Sequence, residues 1–311
     1  MEWRNNTMKG KDLLSISDLT PTDVQNLVIQ SIEIKTGSYP RPLEGKVIAL
    51  LFEKPSLRTR VSFEVGIRKL GGDCFYLGGS EIGLGTREPV KDVARVLDRW
   101  VDGIIARVFS HENLMTLANN TSVPVINALS DVEHPCQAMA DLLTIYEHRS
   151  TFNNQKLAYI GDGNNVANSL ALACASVGIE FVIAVPEGYQ IESSIWTEVE
   201  LRSQLEDSEN RQIRLPEKAV FGADVVYTDV WVSMGQDDES SKRIKAFEKY
   251  QVSPDLLGLA KPDAIFMHDM PAHEGQEITV GMLDHPQSVV FDQAENRLHA
   301  QAAIMMGLFA D

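Results

Sequence analysis

Short, continuous apolar runs alternate along this chain with longer segments whose apolar residues lie on one side only. The first pattern predicts buried strands and the second predicts amphipathic helices. Strands that alternate with helices are typical of parallel sheets joined by right-handed crossovers. We therefore predict an α/β fold with two doubly wound parallel-sheet domains, helices on both faces of each sheet, and a C-terminal helix packing back on the first domain. The predicted strands cover residues 46–52, 75–77, 103–109, 123–128, 156–160, 181–185, 223–231 and 264–268.

Capping residues mark where several helices should begin. Thr20 precedes a proline at the start of the first clear helix, and Ser56 precedes a segment with an apolar face that two glycines end. Further helices are predicted over 169–178 and 296–309. The charged segment 190–217 shows no regular pattern, and the glycine-rich segment 78–87 is predicted to be a mobile loop.

The length of 311 residues favours two domains, since single hydrophobic cores stop growing near this size. Residues 150–155 are polar and rich in turn formers, so we predict the boundary there. The first domain is expected at 1–149, the second at 150–290, and the returning C-terminal helix at 291–311.

Composition restricts the partners and the compartment. The formal net charge of −16 disfavours nucleic acid or an anionic membrane as the main partner, because both attract a basic surface. Cys74, Cys136 and Cys174 form neither a close pair nor an even framework, which favours free thiols in a reducing compartment. With no signal-peptide pattern at residues 1–6 and no long apolar run, we expect a cytoplasmic protein.

Side chains that can bind an anion follow three of the predicted strands. Ser56 begins a helix whose first turn carries two arginines, and Arg107 and His134 fall at or just after two later strand ends. Ligands gather at the carboxyl ends of parallel strands, and the first N–H groups of a helix attract anions. The pattern therefore predicts a site for a phosphate-like dianion, although exposed arginines on a capped helix would give the same local sequence.

Simpler interpretations remain open for the other candidates. His134 can cap a helix, and Asp229 can be a turn residue at a strand end. The 161–163 turn resembles a dinucleotide-binding turn with Glu187 as ribose ligand, but Val166 occupies the place of the third glycine. No metal-ligand spacing links the histidines, so those outside the site are expected to be structural or exposed: His111, His148, His273, His285 and His299.

Six motifs together resemble the ornithine/aspartate carbamoyltransferase family along nearly the whole chain. The segment 229–235 is similar to the ornithine branch specifically. The motifs are Ser56-Leu57-Arg58-Thr59-Arg60, Ala106-Arg107-Val108, His134-Pro135-Cys136-Gln137, Asp162-Gly163-Asn164-Asn165, Asp229-Val230-Trp231-Val232-Ser233-Met234-Gly235 and Glu295-Asn296-Arg297.

The resemblance implies transfer of a carbamoyl group from carbamoyl phosphate to the side-chain amine of L-ornithine through a tetrahedral intermediate, with no cofactor or metal. The catalytic residues would be Arg107, His134, Asp269 and Arg297. The carbamoyl phosphate ligands would be Ser56, Leu57, Arg58, Thr59, Arg107, His134, Gln137, Met270 and Arg297. Ornithine would be bound by Asn165, Asp229, Ser233 and Met234.

One position departs from the family pattern. Asp269 stands where the ornithine branch has a cysteine beside the reacting amine, and we hypothesise that it is a general base. The departure keeps open another acceptor, such as putrescine or an N-acylated ornithine, although the intact segment 229–235 argues against it. A nicotinamide-dependent dehydrogenase is the remaining alternative, which Arg58, Arg107 and His134 disfavour.

The resemblance also implies a metabolic role and an oligomeric state. It suggests a role in arginine biosynthesis and a homotrimer or an assembly of trimers. The active site would lie at a subunit interface, completed in part by the 78–87 loop of a neighbour. No nucleic acid or membrane partner is implied.

Overall fold

The computed structural model describes residues 8–37, 39–206, 209–232 and 237–310. The chain forms two compact units. The first comprises Met1–Leu143 with Asn296–Asp311, and the second comprises Thr144–Glu295. The divisions at 143 and 295 fall inside helices, whereas the sequence pattern places the boundaries a few residues away, at 149 and 290.

The first unit contains a four-stranded, all-parallel sheet. In chain order the elements are α1 (Pro21–Thr36), β1 (Val47–Phe52), α2 (Leu57–Lys69), β2 (Asp73–Gly78), α3 (Gly79–Ile82), α4 (Val90–Leu97), β3 (Gly103–Arg107), α5 (His111–Ala118), β4 (Val125–Leu129) and α6 (Pro135–Arg149). The strand order is β2-β1-β3-β4. Strands β1, β3 and β4 are buried, as is typical of parallel strands covered by helices, whereas the edge strand β2 is partly exposed.

The second unit contains a five-stranded parallel sheet. The elements are β5 (Lys156–Ile160), α7 (Asn165–Ser176), β6 (Glu180–Ala184), α8 (Ser193–Glu206), β7 (Arg211–Ile213), α9 (Pro216–Val220), β8 (Val225–Thr228), α10 (Ser240–Phe247), α11 (Pro254–Leu257), β9 (Ile265–His268) and α12 (Val290–Phe309). The strand order is β7-β6-β5-β8-β9. Helix α12 begins in this unit, and its residues from Asn296 belong to the first unit.

These two parallel sheets, with helices on both faces, confirm the predicted fold class. Each sheet is the centre of a core, and large side chains such as Phe52 and Phe63 in the first unit are fully buried. Truncating such a phenylalanine to alanine typically costs about 3–5 kcal/mol of stability.

Two regular elements were missed in the segment 190–217, which we expected to be irregular. Helix α8 and strand β7 both lie there. In α8 the side chains of Arg202 and Ser203 are buried while Leu201 is half exposed, so the apolar pattern does not follow the buried face. Arg202 is satisfied there by Ser176 and Glu198.

Two helix starts and one predicted loop were wrong in detail. Helix α7 begins at Asn165 rather than 169, because the Asn164 side chain accepts N–H bonds from Val166 and Ala167. Helix α12 begins at Val290 rather than 296. The glycine-rich segment 78–87 includes the short helix α3, which Gly83 ends in the left-handed conformation.

Within the described ranges, no helix combines the length and the apolar character needed to cross a membrane.

Candidate functional site

The turn from β1 into α2 has the geometry that the sequence predicts. Ser56 adopts an extended backbone conformation, and its Oγ accepts a hydrogen bond from the backbone N–H of Thr59 at 3.3 Å. Ser56 Oγ also donates to Thr59 Oγ1 at 3.0 Å. The cap therefore fixes Thr59 at the N-terminus of a 13-residue helix, where the helix dipole attracts anions.

Two buried arginines converge on the Thr59 hydroxyl. Arg107, the last residue of β3, donates from Nη1 to Thr59 Oγ1 at 3.4 Å. Arg297, on α12, donates from Nη2 to the same oxygen at 3.0 Å. Arg107 is 6% exposed and Arg297 only 3%. A guanidinium group presents several N–H donors in one plane, a geometry that matches phosphate and carboxylate oxygens.

Gln137 and His134 join this cluster from the start of α6. Arg297 Nη1 donates to Gln137 Oε1 at 2.5 Å, and Gln137 Nε2 donates to Asp141 Oδ1 at 2.8 Å. His134 directly precedes the helix and is buried. The orientation of the Gln137 amide is thus fixed from both ends.

Burial, reinforced by the nearby Arg297 and Arg107, holds the pKa of His134 well below its ordinary value of 6.5. The ring is therefore neutral at physiological pH and can donate a hydrogen bond without carrying charge. Burial also raises the pKa of the neighbouring Cys136 thiol to about 12, so this cysteine is not a nucleophile.

The remaining residues of the α2 turn are more accessible. Leu57 is 76% exposed, and its backbone N–H lies in the first turn, where helix N–H groups have no helical partner. Arg58 is half-buried and forms no ion pair with any residue in the described ranges. Six of the predicted residues are thus brought together in the first unit: Ser56, Thr59, Arg107, His134, Gln137 and Arg297.

In the second unit, Asp229 follows the carboxyl end of β8 and is buried. Its Oδ2 accepts a hydrogen bond from Asn164 Nδ2 at 2.7 Å, and its Oδ1 accepts one from the N–H of Val230 at 2.6 Å. Asn164 caps α7, whose first residue is Asn165. The predicted residues Asn165 and Asp229 therefore lie on two adjacent segments at the same edge of this sheet.

Asp269 lies beside Asp229, at the end of β9. Ligand atoms of Asp229, His268 and Asp269 all lie within 4.8 Å of one another. His268 Nδ1 accepts the N–H of Met270 at 2.9 Å, and His268 Nε2 lies 3.3 Å from Glu277 Oε1. The proton of a neutral His268 ring is consequently on Nε2.

This arrangement fits an ammonium group better than a metal ion. A metal needs a free nitrogen lone pair on histidine, but the Nδ1 lone pair of His268 is engaged by Met270 and Nε2 faces Glu277. The two carboxylates that remain are acceptors, which suits a group that carries N–H donors.

Several residues that hold the site residues in place were not identified from the sequence. Asp141 lies four residues after Gln137 on α6, so helical spacing could have revealed it. Glu277 and the Asn164–Asp229 contact are brought together by tertiary structure and leave no local signal. Ser233 and Met234, predicted to bind ornithine, lie outside the described residues.

Comparison with protein families matches both parts of the chain. Residues 11–147 match the model described as "Aspartate/ornithine carbamoyltransferase, carbamoyl-P binding domain". Residues 153–308 match "Aspartate/ornithine carbamoyltransferase, Asp/Orn binding domain".

Individual relatives agree with these matches. A protein of Pyrococcus abyssi named ornithine carbamoyltransferase is 47% identical over 303 residues, covering 96% of each chain. A protein of Pyrococcus furiosus named "Ornithine carbamoyltransferase, anabolic" is 46% identical over 303 residues, again covering 96% of each. The solved structure titled ornithine carbamoyltransferase from Pyrococcus furiosus has a TM-score of 0.93 at 46% identity, covering 97% of this chain and 98% of that one. With its two matched domains and the buried arginines around Thr59, this chain belongs to the aspartate/ornithine carbamoyltransferase family.

Proposed function

We propose that the protein transfers the carbamoyl group of carbamoyl phosphate to the side-chain amine of L-ornithine, giving L-citrulline and phosphate. The observation that carries the proposal is the convergence of Arg107 and Arg297 on Thr59, beside His134 and Gln137. Ornithine as the acceptor is supported by the names of the relatives, which are ornithine carbamoyltransferases.

The phosphate is the leaving group, and the α2 turn is suited to bind it. Bidentate arginines and outward-facing helix N–H groups stabilise a dianion, and more strongly once it carries full charge. In this proposal the phosphate ligands are the side chains and the one backbone N–H that surround the turn: Ser56, the Leu57 N–H, Arg58, Thr59 and Arg107.

The carbonyl oxygen gains negative charge as the amine attacks. Thr59, Arg107 and neutral His134 would donate hydrogen bonds to it, and removing one such preorganised donor typically costs ~10²–10³ in rate. Gln137, Arg297 and the backbone carbonyl of Met270 would orient the amide of the carbamoyl group, so that its carbonyl carbon faces the amine.

The amine presents the main energetic problem. An alkyl ammonium has an ordinary pKa of about 10.4, so at pH 7 the free amine costs about 4.6 kcal/mol. Asn165, Asp229, Ser233 and Met234 would bind the amino-acid end of ornithine. Asp269 would receive the side-chain ammonium and accept its proton as attack begins.

The bonds formed and broken balance without another reactant. Asp269 takes one proton from the ammonium, and the amine lone pair then forms a C–N bond to the carbonyl carbon while the C=O π pair moves to the oxygen. As the tetrahedral intermediate collapses, the C=O bond forms again, the C–O bond to phosphate breaks, and phosphate leaves with that electron pair and takes the second proton from the attacking nitrogen. Asp269 returns the first proton to solvent.

We also infer a homotrimer, or a higher assembly of trimers. Apolar side chains are exposed on α2 and on the adjacent edge strand β2: Leu57, Val61 and Phe75 are 76%, 47% and 38% exposed. Such a patch on a helix and a neighbouring strand supports burial against a second copy. The 78–87 segment follows β2 directly, which supports its proposed role in a neighbour's active site.

A cytoplasmic location and a role in arginine biosynthesis complete the proposal. The location is supported by three free cysteines, none of which forms a disulfide. The biosynthetic role is supported by the relative that is named anabolic.

One assay tests the proposed reaction. The protein is incubated with carbamoyl phosphate and, separately, with ornithine, putrescine, N-acetylornithine and aspartate, and the ureido product and phosphate are both quantified. We expect citrulline and phosphate in equal amounts with ornithine, at a rate well above that with the other amines. Preference for another amine would reassign the acceptor, and phosphate release without ureido product would overturn the proposal.

A further inference from the structure

A buried carboxylate that the proposed chemistry does not use lies next to His134 in the sequence. Glu133 is 2% exposed, and its Oε1 accepts a hydrogen bond from the Ser15 hydroxyl. Its Oε2 accepts one from the backbone N–H of Ile16 at 3.1 Å. These two donors precede Glu133 by 118 and 117 residues, so tertiary structure alone brings them to the carboxylate.

The segment that supplies these donors is itself fixed to strand β4. Leu13 donates its N–H to the carbonyl of Val125 at 2.9 Å, and its own carbonyl accepts the N–H of Asn127 at 2.8 Å. The buried Asn127 side chain also donates from Nδ2 to the carbonyl of Leu14 at 2.8 Å. Glu133 is therefore attached to a part of the first unit that the sheet holds in place.

The backbone of Glu133 closes the turn that leads from β4 into α6. Its carbonyl accepts the N–H of Ser130 at 2.9 Å, and its N–H donates to Ser130 Oγ at 3.2 Å. Ser130 is fully buried, and its Oγ lies 2.8 Å from His111 Nδ1. His134 is the next residue after Glu133, and its carbonyl accepts the N–H of Gln137 at 3.0 Å in the first turn of α6. The position of Glu133 therefore sets where His134 leaves the turn.

Stability alone does not account for a carboxylate at this position. The hydrogen bonds with Ser130 already close the turn at the backbone. An apolar side chain of similar volume would be buried here without the free-energy cost of removing a carboxylate from water. What an apolar side chain cannot provide is two acceptors on one planar group for two donors, which fix the turn to the 13–16 segment.

Catalysis by a hydrogen-bond donor is sensitive to how the donor is held. In the proposed reaction the neutral His134 ring donates to the carbonyl oxygen as negative charge develops there. A displacement of about 1 Å can cost about 10²-fold in rate, because the donor no longer faces the position of the oxyanion. Such a site therefore depends on the residues that hold its donors as well as on the donors themselves.

We propose that Glu133 is a positioning residue for His134, which fixes the 130–134 turn to the 13–16 segment and so directs the His134 ring at the carbonyl oxygen of the carbamoyl group. This inference rests on the proposed function, because it takes His134 as a donor in carbamoyl transfer. Glu133 acts on the reaction only through His134, so its loss should lower kcat only while the imidazole ring is present.

A double-mutant cycle with His134 tests the inference. Glu133→Leu removes both acceptors at similar volume, and we expect it to lower kcat about tenfold or more. In the His134→Ala background the same substitution should change kcat less than about twofold, because the ring through which it acts is already absent. A loss of less than about tenfold in the wild-type background, or of more than about twofold in the His134→Ala background, would overturn the inference.

Glu133→Gln provides the conservative comparison. The amide oxygen can accept the Ile16 N–H, and the amide NH₂ group can donate to Ser15 Oγ once that hydroxyl rotates. Both links are then kept without the charge, so kcat should stay within about threefold of the wild type. A Glu133→Gln variant as slow as Glu133→Leu would show that charge matters and anchoring does not, which would overturn the inference.

Asp12→Leu is the matched control for a loss of stability. Asp12 lies on the same N-terminal segment, and its Oδ1 accepts the N–H of Val125 at 2.8 Å. Val125 is the first residue of β4, so this bond fastens the segment at the end of the strand opposite to the one that leads to His134. Asp12→Leu should lower Tm and keep kcat within about twofold of the wild type. A kcat loss equal to that of Glu133→Leu would overturn the inference.

A milder variant covers the case in which Glu133→Leu does not fold. Ser15→Ala removes one of the two donors to the carboxylate and takes the place of Glu133→Leu in the cycle. We expect it to lower kcat about threefold or more in the wild-type background and to have no further effect in the His134→Ala background. Equal losses in both backgrounds, or none in the wild type, would overturn the inference.

The design distinguishes failure of this inference from failure of the proposed function. We measure kcat with whichever amine the wild type carbamoylates, so a reassigned acceptor leaves the cycle as sharp as before. An active wild type whose losses are additive in the cycle would overturn only the inference. A His134→Ala variant with the wild-type kcat would also overturn the inference, while carbamoyl transfer would stand. A wild type that carbamoylates no amine would overturn both.

Discussion

At the scale of single residues, Thr59 Oγ1 is the common acceptor for Ser56 Oγ, Arg107 Nη1 and Arg297 Nη2. The hydrogen bonds to this hydroxyl hold the guanidinium groups of Arg107 and Arg297 close together, although like charges repel. This arrangement raises the free energy of the empty site, and an incoming dianion relieves the repulsion.

His134 provides a pH prediction. Its folded-state pKa lies well below 6.5, so the unfolded chain binds a proton as pH falls through 6.5 and the folded chain does not. The folded state should therefore lose about 1.4 kcal/mol of stability per pH unit below about 6.5 from this group. Denaturant unfolding at pH 7, 6 and 5 should show a weaker pH dependence in His134→Asn. An unchanged slope would show that His134 titrates normally.

Asp269 is tested by its effect on the pH–rate profile. If it accepts the ammonium proton, Asp269→Asn should lower kcat about 10²-fold, because general-base catalysis of this kind contributes ~10²–10⁴. Asp269→Cys should retain more activity, with a profile displaced to higher pH because a thiol has an ordinary pKa of about 8.5. Unchanged turnover and pH dependence in both variants would remove Asp269 from the mechanism.

At the scale of elements, the cap of α2 connects stability to substrate binding. Ser56→Ala removes the bond to the Thr59 N–H and should cost about 1 kcal/mol. It should also raise the KM for carbamoyl phosphate, because the phosphate loses the Ser56 hydroxyl and Thr59 loses its support. Ser110→Ala is the control: Ser110 caps α5 through the N–H of Glu112. It should show a similar loss of stability and an unchanged KM, and equal KM values in the two variants would contradict the role of the cap.

Local patterns sufficed for elements whose apolar residues face the core. Strand β5 matches its predicted range, and the caps at Thr20 and Ser56 have the expected hydrogen bonds. Helix α8 was missed because its buried face includes Arg202, which tertiary contacts satisfy. In the site, motifs indicated Arg107 and His134, whereas the convergence on Thr59 depends on strand ends that only the folded sheet brings together.

At the scale of the whole molecule, the trimer is tested by hydrodynamics. Sedimentation equilibrium should give three times the chain mass of 34.5 kDa, or a multiple of this trimer. Leu57 and Phe75 lie on the exposed apolar patch, so Phe75→Asp should weaken the assembly by placing a charge in a buried interface. A wild-type monomer, or a Phe75→Asp variant with unchanged mass, would contradict this patch as the interface.

In the proposed reaction, positively charged donors meet at one carbonyl and one phosphate. The most direct measurement is citrulline formation by Arg107→Gln with both substrates saturating. Arg95→Gln, an exposed arginine on α4 that pairs with Asp92, is the control. We predict that Arg107→Gln lowers kcat ~10²–10³-fold while Arg95→Gln matches the wild type. A folded Arg107→Gln enzyme with a kcat within about twofold of the wild type would contradict the account.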